Sequence, residues 1–417
     1  MNPPRIDLIP LRSAVCCDAP THLDVLVQIT PPGPQLQGQR PPLNLGLVLD
    51  RSGSMGSRNK MGFAIQAAVF AVEQLLPTDR VSVTVFDDEV KTLIPSTLAD
   101  CRARITSLLR EIQPGNTTAL HGGWRAGADQ VLEHLVPGGL NRVLLLSDGL
   151  ANIGETNPTV IANDVGRMAR TGVSTTTLGV GDDYNEDLME AMAKGGDGNY
   201  YYIETPKQLA DIFQSELRGL MATSGHHVSL GIEPQGDVTL VDVLNDLDRT
   251  STGRLKLPNL IAGVPVLVQV RLHVPPVPQA NESRPSALCR FRLAWDDPQS
   301  GQRQRQTAEL HLPVVTALAW EELVPRTDVQ EQVAVQQMAR LKREAARRLE
   351  SGDTEGTRQA LGEARQILAA APGTEAMTTE AQDLDQVEAD LANGDRQKFA
   401  KRAKYQANLR NTSKPYE

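Results

Sequence analysis

The sequence predicts an α/β fold: a doubly wound, mostly parallel sheet inserted in an antiparallel β-sandwich domain and followed by a C-terminal α-helical region. Three observations carry that reading. Between residues 43 and 221, strand-like and helix-like stretches alternate, the pattern of a parallel sheet covered by helices on both faces. On both sides of that segment apolar residues alternate with mixed neighbours, as in strands with one wet face. Beyond residue 326 the apolar spacing changes to three and four, the period of a helix face.

The elements follow in order. Leu45 to Asp50 is an apolar run, broken only by Gly46, that ends in a carboxylate. Ile65, Val69, Val72 and Leu76 then mark one face of a helix. Val81, Val83 and Val85 alternate with Ser82 and Thr84 as a strand, and a shorter strand is expected from Val90 to Ile94. Helices are expected over 99–112 and 118–135. Val143 to Leu146 is continuously apolar, the mark of a strand buried on both faces. Helix 158–170, strand 173–179, helix 185–193, strand Tyr200–Ile203 and helix 205–221 complete the series.

In the flanks, Leu23, Val25, Val27 and Ile29 alternate, as do Val266, Val268, Val270, Leu272 and Val274. Cys289, Phe291 and Leu293, then Leu310 and Leu312, continue the pattern. The first segment is too short to bury its own strands. Residues 1–40 are therefore expected to pair with 226–318, with the unit at 43–221 inserted between them. Pro-rich stretches at 31–42 and 275–278 read as linkers or turns. Residues 326–417 form the helical region, with seams at Met338, Leu341, Ala345 and Leu349, at Leu361, Ala364, Ile367 and Leu368, and at Leu384, Val387 and Leu391.

Composition narrows the function. The net charge is −9 and aromatic residues make up 4% of the chain. Both argue against a nucleic-acid surface. The basic stretch from Arg396 to Lys414 reads as a solvated helix face. No apolar run is long enough for a membrane span, and no leader pattern opens the sequence. The four cysteines, Cys16, Cys17, Cys101 and Cys289, form no Cys-x-x-Cys. A cytoplasmic setting is the expectation.

The chemistry sits at predicted strand ends, where open α/β sheets gather their ligands. Asp50-Arg51-Ser52-Gly53-Ser54 turns one carboxylate and two hydroxyls toward one point. Gly115-Asn116-Thr117-Thr118-Ala119-Leu120 offers a further hydroxyl, and Ser147-Asp148-Gly149 a second carboxylate. Two carboxylates and three hydroxyls make a hard-oxygen set suited to Mg²⁺ or Mn²⁺. Such a cation is short of negative ligands, so it attracts an Asp or Glu of another protein. Other features read as ordinary structure. Gly179-Val180-Gly181 is a strand-end turn without the Lys of a phosphate loop. Asp182, Asp183, Glu186 and Asp187 form a solvated helix start. His226-His227 begins a strand, and His121 has an orienting or chance role.

These three loops resemble the metal-ion-dependent adhesion site of von Willebrand factor A (VWA) domains. Thr177-Leu178-Gly179-Val180-Gly181, Tyr184 to Met189 and Gly198-Asn199-Tyr200-Tyr201 are similar to VWA domains of the inter-α-trypsin-inhibitor and calcium-activated-chloride-channel type. The resemblance spans about 43–221. It implies a metal held by Asp50, Ser52, Ser54, Thr117 and Asp148. Asn116-Thr117-Thr118 departs from the Gly-Thr-Asn common in relatives; Thr117, five residues before Gly122, keeps the family spacing. The expected function is a non-enzymatic, Mg²⁺-dependent adaptor binding an acidic residue of a partner protein. A scaffold that binds through its C-terminal helices with an unused metal site, or a metal-dependent hydrolase, are the alternatives. No Ser-His-Asp or Cys-His constellation supports the last.

Overall fold

The computed structural model describes residues 3–33, 42–136, 139–277, 286–298 and 300–412. Residues 34–41 and 278 of the two Pro-rich stretches, and the last residues of the basic tail, lie outside them. The chain forms two compact units: residues 35–223 with 298–301, and the remainder.

The first unit is built on a six-stranded sheet. Its order is Val90–Leu98, Arg80–Phe86, Leu43–Asp50, Leu140–Ser147, Ser174–Val180, Tyr200–Ile203. All neighbours run parallel except Val90–Leu98, which pairs antiparallel at the edge. Every residue of Leu43–Asp50 and Leu140–Ser147 is buried, as the continuous apolar runs require. Against one face pack helices Lys60–Gln74, Arg102–Arg110 and Leu209–Met221, through Ala64, Ala68, Leu109, Phe213 and Leu217.

Gly46 explains the single break in the first strand. A Cβ there would come within 2.7 Å of Val131 Cγ2, and one on Gly127 within 2.1 Å of Val48 Cγ2. The helix Leu120–Glu133 therefore lies unusually close to the strand that ends in Asp50.

The second unit contains two antiparallel sheets. One orders Arg5–Pro10, Thr21–Thr30, Val266–Val274 and Thr239–Val243. Its central ladder pairs Leu23 with Leu272, Val25 with Val270 and Val27 with Val268. The other centres on Thr223–Pro234, Ser286–Asp296 and Arg303–Leu312. One hydrophobic cluster draws on both sheets, including Val25, Val268, Leu230, Phe291 and Leu310. Helices Thr327–Glu350, Thr354–Ala370, Glu375–Ala392 and Arg396–Asn411 follow, capped by Asp353, Thr374 and Asp395 side chains. Arg340 holds the helices to the first sheet with a forked pair of bonds to Asp242, at 2.6 and 3.2 Å.

The basic tail differs from the expected solvated face. Phe399, Ala400, Lys401, Ala403, Lys404 and Ala407 of Arg396–Asn411 are all buried. Its cations find partners: Lys404 bonds Glu350 at 2.5 Å and Arg402 bonds Asp390 at 2.5 Å. Its long alkyl stems pack while the charged heads reach carboxylates on neighbouring helices. That is why apolar periodicity understated its burial.

Candidate metal centre

Asp50 and Ser147 end adjacent parallel strands, with Leu49 opposite Leu146. From Leu43–Asp50 the chain crosses to Arg80–Phe86 on one side, whereas Leu140–Ser147 lies on the other. The connections diverge at this point, which opens a crevice at the strand ends. The loops there are laced together by their backbones. Ser52 N–H donates to Asp50 Oδ1 at 2.8 Å. Gly53 N–H donates to Asn116 O at 2.8 Å, and Gly115 N–H to Arg51 O at 2.5 Å. Asn152 and Ile153 N–H donate to Thr118 O at 3.0 and 3.3 Å.

The side chains converge within this frame. Ser52 Oγ and Ser54 Oγ are 3.1 Å apart. Ser54 Oγ donates to Asp148 Oδ1 at 2.6 Å, and Ser147 Oγ to Asp50 Oδ2 at 2.5 Å. Asp50 and Asp148 are both fully buried, while Ser54 and Thr117 are exposed and mark the mouth. Thr118 is the buried threonine of its loop. Its Oγ1 and Asp50 Oδ2 lie 3.0 and 3.7 Å from the position a Cβ on Gly149 would take. Thr118 thus borders the cluster from within, while Thr117, the threonine expected as the ligand, is exposed on the same loop.

One participant gave no sequence signal. Lys60 Nζ donates to Asp148 Oδ2 at 2.5 Å, with both side chains buried. A lysine at a helix start reads as solvated; its position ten residues after Asp50, one helical turn beyond the loop, was the available clue. Burial pushes the Asp50 carboxyl up to about 6, despite hydrogen bonds from Ser147 and Ser52 that favour its ionised form; the nearby Asp148 charge raises it further. Lys60 thus compensates Asp148, while among the described residues no cation bonds Asp50, leaving the cluster short of positive charge.

The donor set fits a hard divalent cation, being all oxygen, partly anionic and open at one side. Among the described residues no group of three or more His, Cys, Asp or Glu could hold a metal, so hydroxyls are essential to any such site here. His121 instead pairs with Asp164 at 3.1 Å and stacks on Trp124. Asp182 accepts a bond from Tyr202 Oη at 2.7 Å.

Residues 44–215 match the family model of the von Willebrand factor type A domain. The chain carries a VWA domain. Its VWA relatives include YfbK of Escherichia coli, 29% identical over 46% of this chain and 34% of that protein. A second is the Synechocystis protein sll0103, 26% identical over 76% of each chain. A third is human inter-alpha-trypsin inhibitor heavy chain H4, 28% identical over 43% of this chain and 20% of that one. The chain thus spans about a third of the first relative and a fifth of the third. Over most of its length the fold is similar to a von Willebrand factor type A protein from Catenulispora acidiphila. That likeness has a TM-score of 0.69 at 16% identity, covering 92% of this chain and 90% of that one. It is also similar to the ArnB paralog VWA2 from Sulfolobus acidocaldarius, with a TM-score of 0.61 at 18% identity over 97% and 98% of the two chains. VWA domains are generally protein-interaction modules. No helix among the described residues is long and apolar enough to cross a membrane.

Proposed function

We propose that this chain is a metal-dependent adaptor whose VWA crevice binds Mg²⁺ or Mn²⁺ and through it an Asp or Glu of a partner protein. Asp50, Ser52, Ser54, Thr117 and Asp148 would hold the ion, with Thr118 as the rival threonine. The carrying observation is the convergence of Asp50, Ser52, Ser54 and Asp148, two buried carboxylates and two hydroxyls, with Lys60 bonded to Asp148. When bound, the cation supplies a positive point that a partner carboxylate can neutralise. The chain's residues orient the site and exclude bulk water. Leu150 and Ile153, exposed just beyond Asp148, give the rim an apolar contact beside the charged one.

This reading is of binding without catalysis: the carboxylates and hydroxyls are taken as ligands of the ion, not as a base and a nucleophile. We read the two antiparallel sheets as one sandwich into which the VWA segment is inserted, supported by the ladder between Thr21–Thr30 and Val266–Val274 and by the shared core. Four free cysteines, three of them buried, fit a reducing cytoplasmic setting.

The test is co-purification with the full chain in Mg²⁺ and in EDTA, for wild type, Thr117→Ala and Asp148→Ala, with melting temperature as the folding control. Capture in Mg²⁺ that both substitutions abolish supports the proposal. Partners retained equally in EDTA and in both variants refute it and shift the binding surface to the helices after residue 326.

A further inference from the structure

The outer face of the sheet formed by Thr223–Pro234, Ser286–Asp296 and Arg303–Leu312 carries a cavity of about 600 Å³. Five arginines line it: Arg254, Arg290, Arg292, Arg303 and Arg305. Alternating charges on an edge strand ordinarily serve to prevent edge-to-edge aggregation. That role does not account for three features here.

First, the guanidinium groups converge from different elements. Arg254 comes from outside the three strands and lies across the sheet. It donates to Ser229 Oγ and Ser229 O, both at 3.1 Å, and to Arg292 O at 2.5 Å. Gly231 makes room for it, since a Cβ there would come within 2.9 Å of Arg254 Nη1. Arg303 also reaches Ser229 Oγ, at 3.1 Å. Secondly, the carboxylates do not balance the cations. Glu309 pairs with Arg290 at 2.8 Å, Glu233 with Arg292 at 3.1 Å and Asp296 with Arg303 at 2.9 Å. Arg254 bonds only neutral oxygens, and among the described residues no carboxylate pairs with Arg305. Desolvation, then the nearby charges of Arg303, Arg292 and Arg305, push Arg254 below its ordinary range, with Glu233 opposing. Thirdly, Thr250, Thr252 and Thr307 also line the cavity, with the Thr250 and Thr252 hydroxyls bonded to each other at 3.0 Å.

We propose that this cavity is a binding site for a phosphate monoester dianion. The two uncompensated guanidinium groups match its charge of roughly −1.5 to −2 at neutral pH. The forked donors of Arg305 suit its oxygens, while Arg254, whose Nε and Nη2 already bond Ser229 and the Arg292 carbonyl, contributes its charge and its remaining Nη1 donors. The site is independent of the VWA crevice. The ligand's source is either a free small phosphate ester or a phosphorylated side chain of another protein.

The test is calorimetric titration of the full chain in EDTA at physiological ionic strength, so that no divalent cation recruits the anion. The probes are inorganic phosphate, free phosphoserine, a phosphoserine peptide, the matching glutamate peptide and a single-stranded oligonucleotide. Binding of phosphate and phosphoserine is expected. Arg305→Gln should weaken it roughly tenfold or more, the size of one lost charge-assisted bond, with an unchanged circular dichroism spectrum. Arg254→Lys, which keeps the charge and loses the bonds that lay Arg254 across the sheet, should also weaken it. A phosphopeptide much tighter than free phosphoserine assigns the protein source; equal affinities assign the small ester. Absence of binding by every phosphate probe overturns the proposal, as does binding that Arg305→Gln leaves unchanged. So does tighter binding of the glutamate peptide or the oligonucleotide.

Discussion

Charge is buried in two regions of this chain, and the two resolve it differently. In the C-terminal helices, Lys342 meets Glu380 at 3.0 Å, and Arg410 reaches both Glu380 and, at 3.1 Å, Asp383. Cations and anions there are matched within the fold. In the VWA crevice, Asp50 and Asp148 are equally buried, but Lys60 bonds Asp148 and, among the described residues, no cation bonds Asp50. A matched buried network fixes helices against one another. An unmatched one holds a carboxylate in its less comfortable form, Asp50 pushed up to about 6, and gains from an added cation. The first arrangement is complete as it stands; the second is the one that the proposed cation would complete.

Five substitutions sharpen that contrast. Glu380→Ala should have the largest effect, because it leaves Lys342 and Arg410 facing each other; breaking such a buried pair costs about 3–5 kcal/mol. Urea unfolding would show the loss, while Mg²⁺ titration should stay as in wild type. An equal loss of metal response would erase the distinction between the regions.

Asp50→Asn should act in the opposite sense. The folded carboxyl titrates at about 6, above its ordinary 3.8. Its contribution to stability is therefore present below the unfolded value and lost as pH rises through about 6. The variant cannot ionise, so in EDTA it should match wild type near pH 4 and exceed it at pH 8, by up to about 3 kcal/mol. It should also lose Mg²⁺ binding. A variant less stable than wild type at pH 8 would mean that the carboxylate is not strained by burial.

Lys60→Met removes the competing cation. The metal-free protein should melt lower, and the affinity for Mg²⁺ should rise roughly tenfold, since a buried like charge no longer opposes the ion. The readout is the rise in melting temperature on adding Mg²⁺, larger than in wild type. The smallest effect distinguishes the threonines. Thr117→Ala, at the exposed mouth, should change stability by less than about 0.5 kcal/mol and yet weaken metal-dependent capture. Thr118→Ala should cost about 1–2 kcal/mol as a buried hydroxyl is lost. If only the second substitution lowers capture, Thr118 takes the ligand role.

Much of this arrangement was legible in the sequence. The apolar runs ending at Asp50 and Ser147 located the sheet's central strands, because burial on both faces leaves no polar alternation to confuse. The hydroxyl and carboxylate loops stood out because small polar residues clustered directly after those runs. Lys60 did not, since the same residue serves a solvated surface or a buried pair, and only tertiary placement decides. The tail helix misled for the same reason: Lys401 and Lys404 are buried although their spacing resembles a polar face. The arginine cavity was hidden by distance along the chain. Arg254 is far in sequence from Arg290 and Arg305; strand register brings the last two to one face, and Arg254 joins them from outside those strands.

The ladder joining Thr21–Thr30 to Val266–Val274 has a consequence for the order of synthesis. The first strand leaves the ribosome with Leu23, Val25, Val27 and Ile29 exposed, and its central partner follows roughly 230 residues later, a delay of about 10–50 s at ordinary elongation rates. Throughout that interval one edge of Thr21–Thr30 waits unpaired, because Arg5–Pro10 covers only the other, and the open edge is a template for other chains. The intervening segment can fold in the meantime from its own local crossovers. Nascent chains stalled before residue 266 should therefore carry a finished metal crevice beside an orphan strand, and should bind holdase chaperones that the released protein ignores.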